Sequence, residues 1–148
     1  MSNFLRYLGP AIGIVAVLIT VWILSYIEDW SRDLSINVAE TSVDAKDERL
    51  RTWHTAQSLA DLDAKLQQIA TYNSLWSYDK SENTEPTTRK IYLVRTTKIM
   101  RFKDDIIVTL RRAEDETIVD VYSKSRVGKG DLGQNPRNIR DLLNYLRN

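Results

Sequence analysis

Residues Leu8 to Ile27, "LGPAIGIVAVLITVWILSYI", run for twenty positions without a charge. As a helix rising about 1.5 Å per residue they would span about 30 Å, the thickness of a bilayer's hydrocarbon core. Phe4 and Tyr7 precede the run, and Trp22, Tyr26 and Trp30 stand at or beyond its far end, where interfacial anchors belong. Pro10 is expected in the first turn, where its missing N–H costs little. Residues 1–27 are therefore expected to be a single transmembrane anchor in the lipid bilayer. A cleaved signal peptide is the competing reading. Its apolar core usually runs about 7–15 residues and ends at an A-x-A-like site. This run is longer, and no such site follows it. Gly9 and Gly13 form a G-x-x-x-G, which serves either as a helix-pairing face or simply as two small residues near a helix start.

Few charges set the orientation. Arg6 and the terminal amine precede the span, whereas "EDWSRD" follows it with three acids and one arginine. The positive-inside rule then expects a cytoplasmic N-terminus and a periplasmic or lumenal C-terminal domain, in an inner or thylakoid-like membrane. The chain has no cysteine, so it offers neither a disulfide nor a lipid-attachment thiol.

Beyond the span the charge is uneven. Residues 28–88 hold 12 acids and 6 bases, and residues 89–112 hold 8 bases and 2 acids. The basic block "RKIYLVRTTKIMRFK" is not read as a nucleic-acid stripe, because residues 28–148 are neutral as a whole, with 20 charges of each sign. It is expected to pair with the acidic half, or to face anionic lipid or an acidic partner.

Residues 28–53 show no sustained repeat and are read as a linker with short helical turns, and residues 54–148 as the folded domain. Leu59, Leu62, Leu66 and Ile69 make one apolar helical stripe, opened by Ser58 and Asp61 as a variant capping box. "DKSENTEPTT" is read as a polar loop. "KIYLVRTTKIMRF", "DIIVTLRR" and "TIVDVYSKS" are read as strands of an antiparallel meander. Trp76, Tyr92, Phe102 and Tyr122 are expected in the core or on a sheet face. In "NPRNIRDLLNYLRN", Asn135 is the expected N-cap, Pro136 the first helical residue, and Ile139, Leu142, Leu143 and Leu146 the buried face. The fold class is α+β: a small antiparallel sheet with helices packed on one face.

Between the last strand and the last helix stands "VGKGDLG", with Gly128, Gly130 and Gly133 in the G-x-G-x-x-G order of a dinucleotide-binding turn. That motif needs a crossover helix and a second parallel strand. Only 15 residues follow Gly133, so a dinucleotide is not expected, and no other cofactor is implied. Clustered glycines then serve backbone shape. One reading is a tight strand-to-helix turn held by Arg126 and Asp131. The other is an anion pocket built from the glycine N–H groups, Arg126, Lys129 and the helix N-terminus. The structural reading is preferred, since Asp131 could itself occupy the helix start.

"FKDDIIVTL" followed by "IVDVYSKSRVGKGDLGQNPRNIRDLL" resembles the signature of the DUF1499 family. The matching positions are Asp104, Asp105, Ser123, Ser125, Arg126, Val127, Gly128, Asp131, Leu132, Gly133, Asn135, Arg137 and Ile139. The resemblance covers roughly residues 91–146. It implies a fold relationship rather than a reaction, in a family whose members resemble bacterial envelope or plastid proteins. This chain has "INVAETS" where many members carry a Pro-Asn-Cys-Val-Ser-Ser-like stretch. Pro136 likewise replaces a basic or polar residue.

No enzymatic activity is expected. His54 is the only histidine, metal sites of His and Cys are excluded by count, and no cysteine nucleophile exists. Asp104 and Asp105 are adjacent, so on a strand they point to opposite faces. One of them is expected to meet Arg126 or Lys103 in an ion-pair cluster. The expected role is that of a membrane-anchored accessory subunit docking on an integral membrane protein complex, with electron-transfer or photosynthetic assemblies as natural settings. The alternative is a module that binds an anion or lipid headgroup through the glycine loop.

Overall fold

The computed structural model describes residues 2–25 and 27–148; the side chains of residues 2–6 lie outside that description. The expected interfacial role of Tyr26 falls outside it too. Helix α1 (Ser2–Leu24) contains the apolar run as far as Leu24 and would be about 34 Å long. Its stretch Tyr7–Leu24 is long and apolar enough to cross a membrane, with a mean hydropathy of 2.2, and none of it is buried against the rest of the chain. A signal sequence near the N-terminus would have the same character. Pro10 lies inside this helix rather than in its first turn, because the helix starts upstream of the apolar run. Thr20 and Ser25 return their hydroxyls to the carbonyls of Ala16 and Trp22.

The remainder is α+β, with a six-stranded antiparallel sheet. Four long strands form a meander: β3 (Trp76–Glu85), β4 (Thr88–Thr96), β5 (Lys103–Ala113) and β6 (Glu116–Ser125). Two short strands, β1 (Val38–Glu40) and β2 (Trp53–Thr55), share the outer edge of β6. In β5 and β6 every second side chain is buried, as a one-sided sheet requires. Ile106, Val108, Leu110, Val119 and Val121 therefore form the sheet half of the core.

The helical half comes from three helices. Helix α3 (Leu59–Gln67) starts at Ser58, whose hydroxyl oxygen accepts from the Asp61 N–H and whose hydroxyl donates to the Asp61 carboxylate. A short α4 (Ile69–Tyr72) follows, and α5 (Gln134–Arg147) closes the chain. Leu62, Leu66 and Ile69 meet Ile139, Leu142, Leu143 and Leu146 over the sheet, all essentially inaccessible to water. At about 25 cal/mol per Å² of buried apolar area, this core is the main source of stability.

Four expectations are corrected. Residues 28–53 are not a linker. Beside short helical turns, α2 (Trp30–Asp33) and a 3-10 turn (Glu48–Leu50), they contain β1 and the first residue of β2, all built into the domain. Residues 79–88 are not a loop either. They hold the end of the edge strand β3 and a tight turn into β4, and their polar composition reflects an edge exposed to water. The strand expected through Phe102 stops at Thr96, and Phe102 lies exposed in the β4–β5 turn instead of packing. The first helical residue of α5 is Gln134, so Asn135 is not its cap and Pro136 is its third residue. Proline is still harmless there, since the N–H groups of a helix's first turn have no intrahelical partner.

Candidate functional site

One end of the sheet's inner face is polar. The ladder sets Arg95 on β4 opposite Asp104 on β5, and Asp104 opposite Ser125 on β6. Strand alternation turns Asp104 inward and Asp105 outward. The first turns of α5 lie over this end and lower Asn135 and Asn138 onto it. Asn138 Nδ2 donates to Asp104 Oδ2 at 2.8 Å and to Ser123 Oγ at 3.3 Å. The Ser123 hydroxyl donates to Asn135 Oδ1 at 2.6 Å, and Asn135 Nδ2 donates to Ser125 Oγ at 3.0 Å and to the Asn37 carbonyl at 2.8 Å. Asp104, Ser123, Ser125, Asn135 and Asn138 are buried and each has a partner, as buried polar groups usually do, whereas the buried Arg95 Nε and Nη1 have none among the described residues.

Asp105 and Arg126 meet on the outer face, with Arg126 Nη2 2.6 Å and Nε 2.9 Å from Asp105 Oδ1. Both remain about half exposed. The expected pairing of Arg126 thus holds for Asp105 only. Asp104 is separated from it by the sheet and is satisfied by Asn138 instead. Nor does the basic block pair as a unit with the acidic half. Arg89 does reach Asp63, at 2.6 Å, but Arg95 pairs with Asp141 in the last helix.

The glycine loop packs on α2. The Asp33 carbonyl accepts the N–H groups of Asp131 and Leu132 at 3.1 and 2.9 Å. A Cβ at Gly130 would lie 2.4 Å from the Leu34 carbonyl oxygen, so only glycine fits there. Gly133 has φ +74, and a Cβ there would lie 2.7 Å from Asp33 Oδ2. Asn37 Nδ2 ties the loop further by donating to the Gly128 carbonyl at 2.7 Å.

Asp131 occupies the start of α5. Its Oδ1 accepts from the Gly133 N–H at 2.9 Å, and its Oδ2 from the Asn135 N–H at 2.7 Å and from the Asn135 amide. Burial pushes the Asp131 carboxyl above its usual value despite these hydrogen bonds. Asp33 behaves oppositely. Burial alone would raise it, but the Arg32 guanidinium at 2.6 Å and the N–H groups of Glu28 and Asp29 hold it below its usual value. The groups considered for an anion pocket do not converge: Arg126 is turned to Asp105, Lys129 is exposed, and Asp131 fills the helix start.

These loop and network residues are the positions that carry the family resemblance. The sequence profile of DUF1499, described as a protein of unknown function, matches residues 28–146. The chain belongs to the DUF1499 family. Its matched region begins at Glu28 and takes in α2, β1 and β2, the elements that complete the sheet and hold the glycine loop. No curated protein matches the chain. Among solved structures, the vertebrate conserved region of human METTL16 aligns at 14% identity with a TM-score of 0.41, covering 68% of this chain and 84% of that one. That similarity is too low to carry an argument.

Four positions that hold this DUF1499 domain together, Asp33, Asn37, Asn138 and Arg140, escape sequence reasoning. Asp33 and Asn37 lie in a polar stretch without periodicity, and nothing local marks them. Asn138 had a signal: it follows Asn135 by three residues, which places both on one helical face. Arg140, nearly buried on α5, grips Glu28 at 2.7 and 2.8 Å just beyond α1. His54 lies 2.7 Å from Glu116 at the opposite end of β6 from the signature. Among the described residues no group of three or more His, Cys, Asp or Glu side chains is arranged to hold a metal ion.

Proposed function

We propose that this DUF1499 chain is a single-pass, membrane-anchored accessory subunit whose domain docks on a larger membrane protein complex and stabilises it. The observation that carries this reading is the fate of the signature. Asp104, Ser123, Ser125, Asp131 and Asn135 are spent on one another and on Asn37 and Asn138, inside the domain. Groups so employed build a rigid scaffold; they are not held open for a reacting substrate. The apolar α1 supplies the anchor. Its flanking charges favour a cytoplasmic N-terminus, with the domain periplasmic or lumenal, in an inner or thylakoid-like membrane. Electron-transfer and photosynthetic complexes are partners consistent with that setting.

Purification from the native membrane in mild detergent tests the reading. The expected result is stoichiometric co-migration with a large complex on a native gel. A chain that migrates alone, and that loses an anionic ligand on Arg126→Ala, would favour the headgroup-binding alternative. The Asp131 carboxylate at the start of α5 weighs against that alternative, because it already fills the position an anion would take.

A further inference from the structure

Three large apolar side chains stand exposed in one six-residue turn. The β4–β5 connection, residues 97–102, is closed by the Thr97 N–H donating to the Phe102 carbonyl at 2.8 Å and the Phe102 N–H donating to Thr97 Oγ1 at 2.9 Å. It is therefore a shaped tip. Ile99 is 67% exposed, Met100 65% and Phe102 45%. Single exposed apolar residues are ordinary, but three in one turn form a patch that implies a partner. Lys98 and Arg101 alternate with them, and neither is in an ion pair with a described residue.

The tip lies at the end of the sheet to which the membrane helix is tied. The Lys103 carbonyl accepts from the Arg126 N–H at 3.0 Å, and the Ser125 N–H donates to the Asn37 carbonyl at 3.0 Å. The tip, the glycine loop and the segment after α1 are thus neighbours. Only residues 25–29 separate α1 from α2, a reach of about 20 Å even fully extended. Of the acids near this exit, Glu28 is paired with Arg140 and Asp33 with Arg32, while Asp29 is exposed and in no ion pair with a described residue. What remains exposed at the tip is apolar and basic, the composition of a surface that settles into an anionic lipid interface. A tethered domain meets that interface at high effective concentration, so a weak contact suffices.

We propose that the 97–102 tip is a second membrane contact, with Ile99, Met100 and Phe102 entering the interface of an anionic bilayer and Lys98 and Arg101 meeting the lipid headgroups. This rests on α1 being a membrane anchor.

The native chain has no cysteine, so Val15→Cys, Ile99→Cys and Asp115→Cys each accept one environment-sensitive fluorophore. The full-length variants are reconstituted into phosphatidylcholine vesicles, with or without phosphatidylglycerol, and a lipid-borne quencher is added. Asp115 lies in the β5–β6 turn, about 35 Å from the tip along β5. The expected result is blue-shifted, quenchable emission at positions 15 and 99 and neither effect at 115, with quenching at 99 strengthened by phosphatidylglycerol. Lys98→Gln with Arg101→Gln should abolish that strengthening. If position 15 is quenched while 99 behaves like 115, the tip faces water or protein and the proposal is overturned. If position 15 is not quenched, the anchor reading itself falls. Quenching at 99 that is indifferent to both phosphatidylglycerol and the two bases overturns the assignment to anionic lipid.

Discussion

Asp33 and Gly133 are in such close contact that a methyl group on Gly133 would lie 2.7 Å from the Asp33 carboxylate. Exactness of fit at this point joins the first turn of the domain to its last helix. The neighbouring Gly130 is more confined still, because the atom it faces is the backbone oxygen of Leu34, which cannot rotate away. Gly130→Ala is expected to destabilise the domain by about 2–4 kcal/mol. Gly128→Ala should cost less, since its nearest contact is 3.2 Å, although its φ of +92 still strains any side chain. Thermal melts of both variants in detergent, followed by circular dichroism, rank them; equal melting temperatures would contradict the packing account.

Adjacent aspartates should differ sharply in cost. Asp104→Ala removes the closer of the two acceptors of the buried Asn138 amide and is expected to destabilise by about 2–3 kcal/mol. Asp105→Ala removes only a half-exposed ion pair and should cost less than about 1 kcal/mol. Denaturant midpoints for the two variants provide the comparison.

Acid should weaken the fold partly through Asp33. Its folded-state pKa lies below the usual value, so its contribution is complete above about pH 4 and fades as pH falls toward the depressed value. Asp131 has the opposite sign. Raised by burial, it favours the fold when protonated, below about pH 4, and that contribution fades as pH rises through its folded-state value. Asp33→Asn should therefore flatten the loss of stability on acidification. Melting temperatures measured across the acid range test this, and an unchanged slope would remove Asp33 from the account.

Arg140 fastens the segment that follows α1. Arg140→Ala breaks both contacts to Glu28 and should cost about 1–3 kcal/mol. It should also speed trypsin cleavage at Arg32 in reconstituted vesicles. Cleavage at the wild-type rate would mean that the segment is held without Arg140.

What could be read from the sequence had strong periodicity or a hard backbone demand. The stripes of α3 and α5, the alternation in β5 and β6, and the uncharged run of α1 each repeat often enough to declare themselves. The glycine loop was legible as a strand-to-helix turn because three glycines in six residues imply backbone shape. The opposite facing of Asp104 and Asp105 followed from strand geometry alone. By contrast, β1 and β2 are three residues each, too short to show alternation, and they exist only because β6 offers them an edge. β3 lacks the pattern because its edge position leaves most of its side chains in water. Asp33 was illegible for a different reason: its role depends on a loop about a hundred residues downstream.

β6 has consequences for the order of synthesis. It is the shared partner of β1, β2 and β5, and Val38 pairs with Lys124 across most of the chain. A growing polypeptide exposes β1 and β2 long before their partner is made. Both must wait unpaired until β6 and then α5 have emerged. The domain is therefore expected to fold late and all at once, as chains with distant strand pairings do slowly, and any membrane it must cross would be crossed while it is still unfolded.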